Sequence, residues 1–245
     1  GLVRIAHNED KSQAAIVEVN SETDFVAKNE EFIAFAEDVA KVALMHGEDD
    51  MDKFMTEDFA GKSVAEALTD KIAKIGENMN IRRFEKMATD GVVYTEYIHG
   101  GGRIGVIVGI KTDATAEEIA EVGKDVAMQV ASMDPKFISD ADVDQEYLEN
   151  EKRILTQEVL NEGKKPEIVE KIVAGKIKKE LKEVCLLDQP FVKDGDVSVG
   201  EYVANAAKKI GKDMAVVEML RYEVGEGIEK KNDDFAAEVA AQINA

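Results

Sequence analysis

The sequence predicts an α+β fold of two duplicated subdomains, each a small antiparallel sheet with packed helices, with an inserted antiparallel coiled-coil hairpin and a C-terminal helix. Three observations carry this expectation. The first is internal repetition: Gly1-Leu-Val-Arg-Ile through Ala14-Ala-Ile-Val-Glu-Val19 is patterned like Gly91-Val-Val-Tyr-Thr through Gly105-Val-Ile-Val-Gly-Ile110. Residues 38–45 then echo 125–133, and Lys74-Ile-Gly-Glu-Asn-Met-Asn-Ile81 echoes Lys209-Ile-Gly-Lys-Asp-Met-Ala-Val216. The second is alternation, in each half, of β-branched runs with stretches whose apolar residues recur at three- and four-residue steps. The third is that residues 143–185 are helical in period and have no counterpart in the first half. The expected units are copy one over 1–90, copy two over 91–226 interrupted by 143–185, and a C-terminal helical module over 227–245.

In chain order, residues 1 to about 19 read as a hairpin whose polar turn is Asn8, Glu9, Asp10, Lys11 and Ser12. Its second arm runs into Asn20, Ser21, Glu22, Thr23 and Asp24, after which helix formers begin at Phe25, so Thr23 or Asp24 is the expected N-cap. Phe32, Phe35, Ala36, Val39, Ala40, Val42 and Ala43 mark an amphipathic helix on the sheet. The acidic run Glu48, Asp49, Asp50 and Asp52 lacks the ligand alternation, central glycine and terminal glutamate of a calcium loop and reads as solvated. Gly61-Lys62-Ser63 imitates the end of a phosphate loop, but the earlier glycine position holds Thr56 and no apolar strand leads into it. Ser63 instead caps a helix over Val64-Ala-Glu-Ala-Leu68, with Glu66 completing a capping box. A further helix or turn leads to Ile75-Gly76, and Met79 to Phe84 form a third strand.

The second half opens with Gly100-Gly-Gly-Arg-Ile-Gly105, which satisfies G-x-G-x-x-G. Dinucleotide binding needs a strand before such a run and a helix N-terminus after it, whereas strands are expected on both sides here. The glycines therefore make a hairpin turn or bulge, with His99 at its edge. His7, His46 and His99 are too isolated in sequence to suggest a metal site. In the insertion, one arm carries Tyr147, Leu148, Ile154, Leu155 and Val159, and the other Val169, Ile172, Val173, Ile177, Leu181 and Val184. The turn Asn161-Glu-Gly-Lys-Lys-Pro166 pairs a C-cap glycine with a helix-starting proline. Such a hairpin serves equally as a dimer contact or as a projecting arm. Gln189-Pro-Phe-Val returns the chain to the core, a helix follows around 203–210, and Met214 to Val224 supply a strand. Beyond Gly225 and Gly227, Asp233 or Asp234 is expected to cap a terminal helix with Phe235, Val239 and Ile243 on one stripe.

Composition narrows the function classes. A chain of 245 residues with 44% hydrophobic content buries real cores. Against 31 basic residues stand 51 acidic ones, a formal charge of -20, which repels nucleic acid and anionic membranes and suits basic or mixed protein partners. Cys185 is the only cysteine, so no intramolecular disulfide forms and a reducing compartment is expected. No signal peptide or membrane-length apolar run is present. The expected location is the cytoplasm, or an organellar matrix or stroma. No catalytic set, metal ligands or cofactor are assigned.

The residue singled out for function is Phe25. Residue type alone favours core packing. Against that, the repeat aligns Thr23-Asp24-Phe25-Val26 with Thr112-Asp113-Ala114-Thr115, so the repeated fold does not itself require an aromatic at this corner.

The string Val17-Glu-Val-Asn-Ser-Glu-Thr-Asp-Phe-Val-Ala-Lys28 resembles the signature of the elongation factor Ts family. The resemblance continues through Lys74 to Arg83, His99 to Gly105, Gln189-Pro-Phe-Val192 and Tyr222 to Lys230, and so covers nearly the whole chain. It implies a guanine-nucleotide exchange factor that acts by protein contact, binds elongation factor Tu in its GDP-bound and nucleotide-free forms, and inserts the corner of Asp24 and Phe25 near the Mg²⁺ and phosphate site. Thr23, Val26, Ile75, Gly76 and His99 match other partner-contacting positions of the family. It also implies that the 143–185 hairpin is a dimerisation element and that the terminal helix meets the partner. A small helical module like a ubiquitin-associated domain is implied ahead of the first strand, where this chain opens with Gly1 and goes almost directly into a strand. The alternative reading is a dimeric scaffold without exchange activity; a third, poorly supported, is a nucleotide-dependent enzyme using the glycine run.

Overall fold

A computed structural model describes residues 1–47 and 49–228. The fold is mixed helix and sheet, as expected. β1 (Leu2–His7) and β2 (Ala14–Ser21) form the first hairpin, followed by α1 (Glu30–Met45), the short α2 (Met51–Phe54), the two-residue strands β3 (Asp58–Phe59) and β4 (Lys62–Ser63), α3 (Val64–Ile75) and β5 (Met79–Met87). Next come the hairpin β6 (Val92–His99) and β7 (Ile104–Lys111), α4 (Ala120–Met133), and the paired helices α5 (Gln145–Asn161) and α6 (Pro166–Val184). β8 (Pro190–Phe191), β9 (Asp194–Ser198), α7 (Val199–Ile210) and β10 (Ala215–Glu223) complete the described chain.

Two three-stranded antiparallel sheets, ordered β1-β2-β5 and β10-β7-β6, pack face to face, each with a long helix on its outer face. Side-chain alternation along the central strands accounts for this layering. In β2, Ala15, Val17 and Val19 point to Phe32, Phe35, Ala36 and Val39 of α1, while Ala14 and Ile16 point to Val92, Tyr94 and Ile107 of the other sheet. In β7, Val106, Val108 and Ile110 meet Val122, Val126 and Val130 of α4, and Ile107 faces inward. Both strands are buried on two sides, which is why they read as continuous apolar runs. The sheets approach so closely at Gly105 that a Cβ there would collide with Val3 Cγ1.

The structure revises several element boundaries. Phe25 does not open the helix after the corner. Val26–Lys28 form a short 3-10 turn, and α1 begins at Glu30, where the Asn29 side chain accepts from the N–H groups of Glu31 at 2.8 Å and Phe32 at 3.3 Å. Thr23 is not its cap, because the helix begins well past it and the Thr23 hydroxyl faces the N–H of Val26 in the 3-10 turn instead. The stretch after Ser63 is one continuous helix to Ile75 with the expected capping box, closed by Gly76 at φ 81°. An equivalent box of Ser198 and Glu201 starts α7 at Val199, four residues before the apolar residue that first signalled it. Asp50 of the acidic run caps α2. The terminal helix expected around Phe235 lies outside the described residues.

α5 and α6 run antiparallel: Tyr147 Oη donates to Glu180 at 2.9 Å near one end, and Lys176 Nζ pairs with Glu158 at 3.1 Å nearer the other. Val159, Val169 and Val173 are buried between them. The pair leaves the body through two parallel connections, where Leu186 N–H donates to the Phe137 carbonyl at 2.8 Å and Lys136 N–H to that of Val184 at 2.9 Å.

Candidate functional site

The strand-to-helix corner after β2 is built from residues far apart in sequence. β2 pairs with β5 so that Ser21 lies opposite Met79, which brings the turn after α3 beside the corner. Across that gap the Glu77 carboxylate accepts from Thr23 twice, from the backbone N–H at 3.1 Å and from Oγ1 at 2.7 Å. Glu22 returns the contact by accepting from Asn78 N–H at 3.4 Å. The Thr23 hydroxyl also lies 3.4 Å from Val26 N–H. Thr23 is thereby set beside the turn that follows Ile75 and Gly76.

Phe25 and Val26 point in opposite directions from this turn. Val26 is buried in the cluster containing Val19 and Phe32, whereas Phe25 is 87% exposed. Burial makes Val26 an anchor rather than a surface contact. Phe25 has φ -67° and ψ -43°, ordinary helical backbone, so the ring stands outward without strain. Leaving a Phe ring in water forgoes roughly 1.5–3 kcal/mol of burial. A covering surface recovers that energy.

His99 is the last residue of β6, where the chain enters the turn to β7, and is exposed, its Nδ1 3.1 Å from Tyr97 Oη. The glycine turn rests on the start of β1, where Val3 N–H donates to the Gly102 carbonyl at 2.7 Å. Leu2, at that same end, pairs with Val19, from which the chain enters the corner. The Phe25 corner, the Gly76 turn and the His99 turn therefore crowd one end of the first sheet. The glycine run is a turn between two strands, with Gly100, Gly101 and Gly102 at φ 58°, 69° and 114°. No helix N-terminus follows it to receive a pyrophosphate. Among the described residues no group of His, Cys, Asp and Glu is placed to hold a metal ion, and no helix is long and apolar enough to cross a membrane.

Sequence reasoning passed over the residues that hold the corner. Glu77 lies within the stretch Lys74 to Arg83 but carries no local signal, because its partner is 54 positions away. Asn29 was legible: an Asn followed by two glutamates and then an apolar period is a helix start.

Fold and corner together define a mixed α+β protein that presents one outward aromatic on a braced strand-to-helix turn. The family model described as Elongation factor TS matches residues 22–226 of this chain. Elongation factor Ts of Clostridioides difficile (strain 630) is 52% identical over 244 residues, spanning 99% of this chain and 80% of that protein. Its counterpart in Clostridium perfringens (strain 13 / Type A) is 49% identical over 241 residues, spanning 98% and 80%. That of Clostridium botulinum (strain Eklund 17B / Type B) is 48% identical over 244 residues, spanning 99% and 80%. The chain belongs to the elongation factor Ts family, and its role lies in the elongation stage of protein biosynthesis.

Proposed function

We propose that this chain is a guanine-nucleotide exchange factor that binds elongation factor Tu in its GDP-bound and nucleotide-free forms and promotes GDP release, breaking no covalent bond. The observation that carries the reading is the 87% exposure of Phe25 on a corner held by Thr23 and Glu77. In this mechanism Asp24 and Phe25 enter a crevice of the partner near its Mg²⁺ and phosphate site and displace the groups that support the nucleotide. Ile75, Gly76 and His99 lie at the same end of the first sheet and supply flanking contacts, while Val26 roots the wedge in the core. Release quickens because the factor binds the nucleotide-free form better, each 1.4 kcal/mol of barrier removed being worth about tenfold in rate.

The same reading takes 1–90 and 91–226 as duplicated subdomains, with 143–185 inserted in the second and 227–245 as a separate module. The insertion serves as a coiled-coil homodimer contact; Ile154, Leu160 and Ile168, each more than 40% exposed on its two helices, favour that role. A cytoplasmic location follows from the partner, and nucleic acid has no part in the proposed contact. Release of labelled GDP from purified elongation factor Tu, with and without this chain, tests the proposal. Acceleration at substoichiometric chain concentration is expected, and an unchanged release rate overturns it.

A further inference from the structure

Resting on that reading of the corner, we propose that Glu77 is a positioning residue for exchange: its carboxylate holds the corner in the one conformation that presents Phe25. Three observations converge. Both Glu77 oxygens are engaged by Thr23, one by the backbone N–H at 3.1 Å and one by the hydroxyl at 2.7 Å, two residues before the exposed ring. A carboxylate that accepts two donors from a single residue fixes its orientation as well as its distance. Second, the Phe25 ring itself has no such restraint: it is 87% exposed, and the side chain that reaches the 3-10 turn after it is that of Thr23, whose hydroxyl lies 3.4 Å from Val26 N–H. What orients Phe25 is Val26 packed behind it and Thr23 tied in front.

The third observation is the position of Glu77 relative to Gly76. Gly76, at φ 81°, ends α3 and turns the chain so that the next side chain faces the corner. In the second half Gly211, at φ 78°, ends α7 in the same way, and the residue after it, Lys212, reaches the corresponding strand-to-helix corner. Lys212 Nζ donates to the Asp113 carbonyl at 3.3 Å and pairs with Glu118 at 2.9 Å. The residue after the left-handed glycine thus reaches a corner in both halves, with opposite charge. Only at the corner carrying an exposed aromatic does it grip both the N–H and the hydroxyl of one residue. Freed from Glu77, Thr23 N–H is exposed to water, the turn gains alternative conformations, and Phe25 is presented for a smaller fraction of the time. Apparent activity falls with that fraction.

The test is a four-member cycle of wild type, Glu77→Ala, Phe25→Ala and the double variant, read as maximal GDP release from elongation factor Tu and as the chain concentration at half effect. Glu77→Ala is expected to lower the maximal rate by about fivefold to tenfold, the loss expected when the competent state becomes that much rarer. In the Phe25→Ala background the same change is expected to add nothing. Glu77→Gln, which retains an acceptor for the N–H and a donor for the hydroxyl oxygen, is expected to restore the rate to within about twofold. Thr23→Val removes the hydroxyl with little change of volume and serves if the Ala variant melts early. Equal slowing by Glu77→Ala in both backgrounds overturns the proposal, as does normal exchange by Glu77→Ala beside a slow Phe25→Ala. Normal exchange by Phe25→Ala alone instead overturns the wedge reading beneath it.

Discussion

Glu18, in the middle of β2, lies fully buried with Oε2 2.6 Å from Arg83 Nε of β5. The same carboxylate accepts from Arg82 Nη1 at 3.0 Å and from the Gly225 N–H at 2.8 Å, beyond the end of β10. Arg83 continues the link to the Glu223 carbonyl and the Glu226 carboxylate, with its guanidinium 4.0 Å above the Tyr222 ring. One buried anion therefore joins the first sheet to the segment that closes the second.

Removal of that anion takes the buried acceptor from two arginines and a backbone N–H, although Arg83 keeps Glu226 and Arg82 keeps the Glu226 carbonyl. Glu18→Ala is expected to cost about 3–5 kcal/mol, the usual penalty for breaking a buried pair from one side. Glu18→Gln, which keeps one acceptor oxygen, is expected to cost less. Urea denaturation of both variants measures the difference, and a stability loss under 1 kcal/mol for Glu18→Ala contradicts the structural role.

Phe25 and Phe35 make a matched pair, one 87% exposed and the other 3%. Phe25→Ala is expected to change stability by less than about 1 kcal/mol, as surface substitutions do, and to slow GDP release markedly while the complex still forms. Phe35→Ala leaves a cavity under α1 and is expected to cost about 3–5 kcal/mol, losing exchange only as a consequence. Melting curves beside a nucleotide-release assay separate the two. A Phe25→Ala protein that exchanges normally sinks the wedge mechanism.

The helical pair α5 and α6 meets the body through the backbone bonds at 136–138 and 184–187, and its own apolar cluster is separate from the two sheet cores. Excising 143–183 with a short Gly/Ser link, so that Val184 and Cys185 stay in place, is expected to leave both sheets folded. Circular dichroism and a melting curve close to those of the intact chain are the expected result. Val184 and Cys185 belong to the body rather than to the insertion ending at 185; global unfolding refutes the assignment of 143–183 as a separable unit, and loss of self-association alone supports it.

Cys185 is buried at the root of that pair, and burial, reinforced by Asp188, Asp140 and Asp142, pushes its thiol up to about 11. At pH 8 this leaves roughly one thiolate in a thousand molecules, far below the fraction of an ordinary cysteine. Alkylation by iodoacetamide is expected to be more than about a hundredfold slower in the native chain than in 8 M urea. Equal rates in the two conditions place Cys185 at the surface.

Much of this architecture was legible because its signals are local. Hairpin turns, the capping box of Ser63 and Glu66, the Gly163 and Pro166 punctuation and the apolar stripe of α1 each depend on residues within a few positions of one another, and each lies where its pattern put it. The same patterns misplaced the start of α1, because Thr23, a good cap by type, faces only the short 3-10 turn at Val26 and the chain is extended at Asn29 before the helix begins. They also split α3 and shortened α7, since apolar spacing marks a buried face and not where the backbone bonds end.

By itself the sequence determined the long strands and helices, though not their ends nor the short α2, β3, β4, β8 and β9, and it set Phe25 at a corner that the repeat pattern aligns with Ala114. Only the tertiary structure decided that Val26 turns inward and Phe25 outward, that Glu77 grips Thr23, and that Glu18 is buried against Arg82 and Arg83. The reason is physical: periodicity specifies a face, but the neighbour that covers it is chosen by strand register and sheet packing. Those bring together groups 54 to 207 residues apart.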